Sequence, residues 1–178
     1  MSDQVVLVNE QDEEIGFMDK LEAHRQAKLH RAFSVFIFND KGEMLLQQRA
    51  AHKYHSGGLW TNACCSHPGP GEATPAAAAR RLQEEMGFSI PLTKIFDFTY
   101  RAEFENGLVE HEYDHVFLGI YSGDIKPHPN EVQDYCHKTL DDLKHSIEND
   151  PGAFTAWFHI ALPLLEQWLL KNKMELQN

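Results

Sequence analysis

Gly71-Glu72-Ala73-Thr74-Pro75-Ala76-Ala77-Ala78-Ala79-Arg80-Arg81-Leu82-Gln83-Glu84-Glu85-Met86-Gly87-Phe88 reads as the clearest helix of the chain. Thr74 is a good N-cap, Pro75 fits the first helical position, and Gly87 supplies a left-handed stop. Between them Ala78, Ala79, Leu82 and Met86 form an apolar stripe. Positions 81, 84 and 85 lie three or four residues apart, so Arg81, Glu84 and Glu85 share one face. Carboxylates at that spacing can hold a divalent cation that bridges to phosphate, and an arginine can grip phosphate oxygens directly. Taken alone, the same face is equally a solvated run of Arg–Glu pairs.

Upstream lies Trp60-Thr61-Asn62-Ala63-Cys64-Cys65-Ser66-His67-Pro68, whose first six residues read as a strand. Side chains alternate between the faces of a strand, so Cys65 and His67 point the same way. An isolated pair of this kind is more often a buried thiol beside a core histidine; here a phosphate-handling helix follows it. Further upstream, Gln4 to Val8 and Ile15 to Phe17 read as short strands, Asp19 to Lys28 as a helix, and Arg31 to Phe38 as a buried strand. Glu43 to Arg49 returns from the turn Asn39-Asp40-Lys41-Gly42. Downstream, Phe96 to Glu105 and Leu108 to Tyr121 form a hairpin about Asn106-Gly107. Leu140 to Glu148 and Phe158 to Lys171 read as closing helices. This mixture predicts an α+β protein or an α/β/α sandwich on a mixed sheet, as one domain over 1–178.

The formal net charge of −11 leaves no general basic field for a nucleic acid. An anionic substrate must therefore be held by a local cluster of cations or by metal ions. Three cysteines, two of them adjacent, make a poor disulfide framework, which points to the reducing cytosol. The N-terminus has no basic start and no long apolar run, so neither a signal peptide nor a membrane span is expected. A monomer is the expected state.

His24 and His30 are too far apart for one helix face, yet they converge if His24 ends a helix and His30 begins the next strand. His67 is a third imidazole, and Glu110 and Glu112 share one face of their strand. Three imidazoles and two carboxylates suit a transition metal such as Mn or Zn. With 11 histidines in the chain several must be ordinary: His52, His55, His128, His137, His145 and His159 are given no role, and His111 and His115 alternate to the opposite face.

The helix segment resembles the Nudix box, Gly-x5-Glu-x7-Arg-Glu-apolar-x-Glu-Glu-x-Gly-apolar. Glu72, Arg80, Leu82, Glu84, Glu85 and Gly87 fit it, whereas Ser66 stands for the first Gly and Arg81 for a metal-binding Glu. Together with Lys20-Leu21-Glu22-Ala23-His24, Leu29-His30, Trp60 to Pro68, Phe98-Thr99-Tyr100-Arg101-Ala102, Val109 to Glu112 and Phe154-Thr155-Ala156-Trp157, the chain resembles the type I isopentenyl-diphosphate isomerases of the Nudix superfold. That resemblance implies interconversion of isopentenyl and dimethylallyl diphosphate in isoprenoid synthesis. It implies Mn2+ or Zn2+ held by His24, His30, His67, Glu110 and Glu112, and Cys65 and Glu112 as the acid/base pair. Tyr100 would assist proton transfer, and Trp157, read alone as a core aromatic, would cover the carbon skeleton. Lys20, Arg49, Lys53 and Arg81 would clamp the diphosphate, with Mg2+ bridging from Glu85. The His24–His30 interval is shorter than in some members, and the surviving Glu84 leaves room for residual hydrolysis. A Nudix diphosphate hydrolase and a non-catalytic metal and diphosphate sensor are the alternatives.

Overall fold

The computed structural model describes residues 3–172. The single-domain expectation over 1–178 also takes in residues 1–2 and 173–178, which lie outside the described residues. Strands β1 (Gln4–Val8) and β2 (Glu14–Asp19) lead into the short helix α1 (Lys20–Arg25), then β3 (His30–Phe38), β4 (Met44–Arg49), β5 (Trp60–Thr61) and β6 (Cys64–Ser66). Helix α2 (Thr74–Met86) precedes β7 (Thr93–Glu103), β8 (Val109–Ile120) and β9 (Val132–Lys138). Helix α3 (Leu140–Asn149), a 3-10 turn (Pro151–Ala153) and α4 (Ala156–Asn172) end the described chain.

β3 is the hub of a mixed sheet. It runs parallel to β8 from His30↔Glu112 to Phe38↔Ile120, and antiparallel to β6 from Phe33↔Ser66 to Val35↔Cys64. β7 adds to the far side of β8, and β4 carries β5 and β9. Alternation explains the nearly unbroken apolar run of β3, since both of its faces are covered. Phe33, Val35 and Ile37 pack with Ala77, Ala78, Leu82 and Met86 of α2. Phe36 and Phe38 pack with Leu143 of α3 and with Phe158, Leu162 and Leu165 of α4. Helices therefore cover both faces of the sheet, the α/β/α arrangement expected.

Four local expectations are corrected. The N-cap of α2 is Ala73, without a side-chain hydrogen bond, and Thr74 and Pro75 occupy the first two helical positions. Proline has no N–H to satisfy, so the first turn tolerates it at either place. Gly87 does close the helix, at φ 79°. The strand expected over 60–65 is broken at Asn62, whose buried amide donates to the carbonyls of Val35 and Cys64 at 2.9 and 3.1 Å. The helix expected over 19–28 stops at Arg25, and Ala27 at φ 54° turns the chain toward β3. β9 carried no sequence signal: of its residues only Val132 is fully buried.

Candidate active site

The site forms where the sheet meets the beginning of α4, and each strand contributes through alternation. On β8, Glu110, Glu112 and Asp114 point to one face and are all buried. Ser34 on β3 lies opposite Cys65 on β6, so the thiol shares that face, whereas Cys64 turns to the α2 side and packs in its core. Cys65 and Glu112 thus arrive from strands on the two sides of β3. Both line one cavity, together with His67, Tyr100, Arg49 and Trp157.

The sulfur of Cys65 donates to Asn62 Oδ1 at 3.1 Å and lies 3.6 Å from Ser34 Oγ, which in turn donates to Asp114 Oδ2 at 2.7 Å. Burial, followed by the Asp114 charge, pushes the Cys65 thiol up. Across the cavity Tyr100 donates to Glu112 Oε1, and its hydroxyl lies 3.2 Å from Glu110 Oε2. Burial and the neighbouring Glu112 push Glu110 well above the carboxylate range. Burial would raise Glu112 too, but His67 and His30 together hold it well below. The two carboxyls are therefore pushed in opposite directions by their surroundings.

Histidines surround Glu112. His67 Nε2 is 2.6 Å from Glu112 Oε2, and His30 Nε2 is 3.2 Å from the same oxygen. His24 ends α1 and His30 begins β3, and their rings stand 5.0 Å apart. Each holds its Nδ1 against a backbone carbonyl, His24 on Lys20 at 2.6 Å and His30 on Lys28 at 2.8 Å. That fixes the tautomer and turns both Nε2 atoms inward. Donor atoms of His24, His30 and His67 all lie within 4.8 Å of one another. The Nε2 atoms of His24 and His30 and Oε1 of Glu110 are buried with no hydrogen-bond partner among the described residues. Such orphaned donors, each costing about 1–3 kcal/mol, fit a transition metal.

The four proposed phosphate-clamping cations are held by carboxylates or backbone. Lys20 pairs with Asp3 at 2.6 Å and Lys53 with Glu131. Arg81 reaches Glu84, Glu85 at 2.9 Å and Glu131 at 3.4 Å. Arg49 donates to the His55 carbonyl at 3.2 Å, and its guanidinium lies 5.1 Å from the Trp157 ring centroid. Glu85, expected at a magnesium ion, also accepts from Gln47 at 3.1 Å. It sits on α2, on the far side of the sheet from Glu112, so the structure separates these two proposed metal positions. His115, excluded by alternation, pairs with Asp12 at 2.8 Å on the other face.

A NUDIX domain family model matches residues 28–158. A protein of Pectobacterium atrosepticum called isopentenyl-diphosphate Delta-isomerase is 47% identical over 172 residues, covering 97% of this chain and 96% of its own. The chain belongs to the isopentenyl-diphosphate Delta-isomerase family. Another member, isopentenyl-diphosphate Delta-isomerase 2 of Photorhabdus laumondii, is 51% identical and covers 89% of each chain. Among solved structures, a Deinococcus radiodurans protein superposes with a TM-score of 0.70 at 19% identity, over 83% of this chain and 90% of its own. A MutT protein of Methanosarcina mazei Go1 gives 0.65 at 20% identity, over 82% and 96%. At those identities the likeness speaks for the Nudix fold of the isomerase family alone. One residue at the family's site was passed over in sequence: His55, on the loop after β4, is buried beside Glu110. Only the aromatic run around it, Tyr54 and the distant Phe104 and Trp157, hinted at burial.

Proposed function

We propose that the chain interconverts isopentenyl and dimethylallyl diphosphate by a 1,3-proton shift, with Cys65 and Glu112 as the acid/base pair. One observation carries the reading: a thiol and a carboxylate from strands on opposite sides of β3 line the same cavity. An alkene is a very weak base, and protonating this one makes a tertiary carbocation. The chemistry needs a proton donor on one side, an acceptor on the other, and no water between them. Because the reaction is reversible, the group that donates in one direction accepts in the other. Tyr100, kept as a phenol by burial and by Glu110, holds Oε1 of Glu112 toward the proton. Trp157, 3% exposed, walls the hydrocarbon. An indole face near a cation contributes roughly 2 kcal/mol when desolvated.

His24, His30, His67, Glu110 and Glu112 would hold a divalent cation, Mn2+ or Zn2+, whose charge neutralises the paired carboxylates and fixes Glu112 in one orientation. Lys20, Arg49, Lys53 and Arg81 would clamp the diphosphate, and Glu85 would hold the Mg2+ that accompanies it. Binding at this remote end holds the alkene in place for reaction. Arg81 stands where the Nudix box has a metal-binding glutamate, and Arg80 pairs with Glu72 and Glu84, which speaks against hydrolysis by a full carboxylate cluster. With a net charge of −11 and three free cysteines, we read a cytosolic monomer acting on a small molecule, with no nucleic-acid partner. Among the described residues no helix is long and apolar enough to cross a membrane.

The test is a proton NMR time course in deuterated buffer with isopentenyl diphosphate. Label entering both isoprenyl diphosphates is expected. Release of phosphate, or unlabelled substrate after long incubation, would refute the reading.

A further inference from the structure

The loop over 50–59 delivers a side chain outside the five-residue ligand set. His55 is 7% exposed. Its ring lies flat on Phe104, with centroids 4.4 Å apart at 7°, and meets Trp157 edge-on at 5.7 Å. Nδ1 is 3.1 Å from Ser56 Oγ, which turns Nε2 inward. That atom is 3.8 Å from Glu110 Oε1. His55 Nε2, Glu110 Oε1 and His24 Nε2 are all buried without a hydrogen-bond partner among the described residues. One donor atom from each of these three residues lies within 4.8 Å of the other two. Gly57 makes the turn possible, because a Cβ there would lie 2.4 Å from the Ala51 carbonyl oxygen.

Three orphaned donors facing one another are hard to account for as packing. Two imidazole nitrogens and a carboxylate oxygen cannot satisfy each other when both rings are neutral with their protons on Nδ1, but one cation satisfies all three. His24 belongs also to the triad it makes with His30 and His67, so one imidazole is shared by the two groups.

We propose that His55 is a further ligand of the metal centre, bringing it to four imidazoles and two carboxylates. The proposal rests on the metal reading above and deepens it. Six donors are a full octahedral complement, and a nitrogen-rich set favours late first-row divalent ions over oxygen-seeking Mg2+ and Ca2+. Water then has no place on the metal, and the ion serves to orient Glu112.

The test loads the full chain with cobalt(II), without diphosphate, and reads the hyperfine-shifted imidazole N–H resonances by proton NMR. Four such signals are expected, with one cobalt per chain; His55→Phe, which keeps an aromatic ring on Phe104, should leave three. Competition with a zinc chelator should show His55→Phe weakening affinity by at least about tenfold, the scale of altered metal-site partners. Three signals in the parent chain, or unchanged affinity in the variant, would make His55 a packing residue and overturn the proposal. Two cobalt ions per chain would overturn the shared centre. A parent chain that binds no cobalt or zinc at all would instead sink the metal reading itself. The signal count on the parent needs no variant to fold.

Discussion

Cys65 is held by a single well-made hydrogen bond, to Asn62 Oδ1 at 3.1 Å, and so its replacement disturbs little besides the chemistry. Cys65→Ala should lower turnover by roughly 10²–10⁴, the usual share of a positioned acid or base, with the thermal midpoint unchanged in a melting scan. Asn62→Ala should behave differently. Its amide satisfies the buried carbonyls of Val35 and Cys64, and each orphaned group costs about 1–3 kcal/mol. Chemical denaturation should therefore show lost stability together with lost activity. Cys65, Glu110 and Glu112 were legible because a strand has a period of two, which assigns faces without coordinates, whereas His67 lies just past the end of β6. His55 was not legible: an irregular loop has no period, and the ring that receives it, Phe104, is remote in sequence.

Helix α2 shows how far local pattern reaches. Its glycine stop and most of its apolar positions could be read directly: Ala78, Leu82 and Met86 face the sheet, with Ala77 in the place expected of Ala79, and Gly87 has the positive φ of a left-handed cap. A Cβ at Gly87 would lie 2.5 Å from the backbone oxygen of Lys126. Gly87→Ala should therefore cost more than about 1 kcal/mol, beyond the usual penalty of an alanine forced to positive φ, measurable by denaturant titration. The start of α2 was misplaced by one residue because proline marks the first turn and not a particular position. β9 escaped for the opposite reason: as a mostly exposed strand over β4 it has no apolar alternation to display.

Across the molecule, the sandwich was foreseen from the order of strands and helices, whereas the meeting of α1, β3, β6 and β8 at one end of the sheet was expected from the resemblance and not from periodicity, since it depends on sheet order; the loop that joins them was not expected. That meeting leaves several imidazoles neutral and buried. Burial, with His67 next, pushes His24 from 6.5 down to about 4. Burial and Arg49 push His55 down to about 2. An unfolded chain takes up protons at these histidines below about 6.5 while the folded one does not. Their contribution to stability is complete above that pH and is lost as pH falls through the folded values. The melting temperature of chelator-treated protein should thus drop steadily from pH 7 to pH 4. Saturating zinc should raise the neutral-pH melting temperature, because a thousandfold excess over the dissociation constant adds about 4 kcal/mol of stability. The sheet also separates its two sulfurs: neighbours along β6, Cys64 and Cys65 lie in different layers, so they cannot bridge to one another. A sulfenic acid formed at Cys65 would accordingly find no resolving thiol in Cys64, so excess peroxide should carry it on to the irreversible sulfinic acid and not to an internal disulfide.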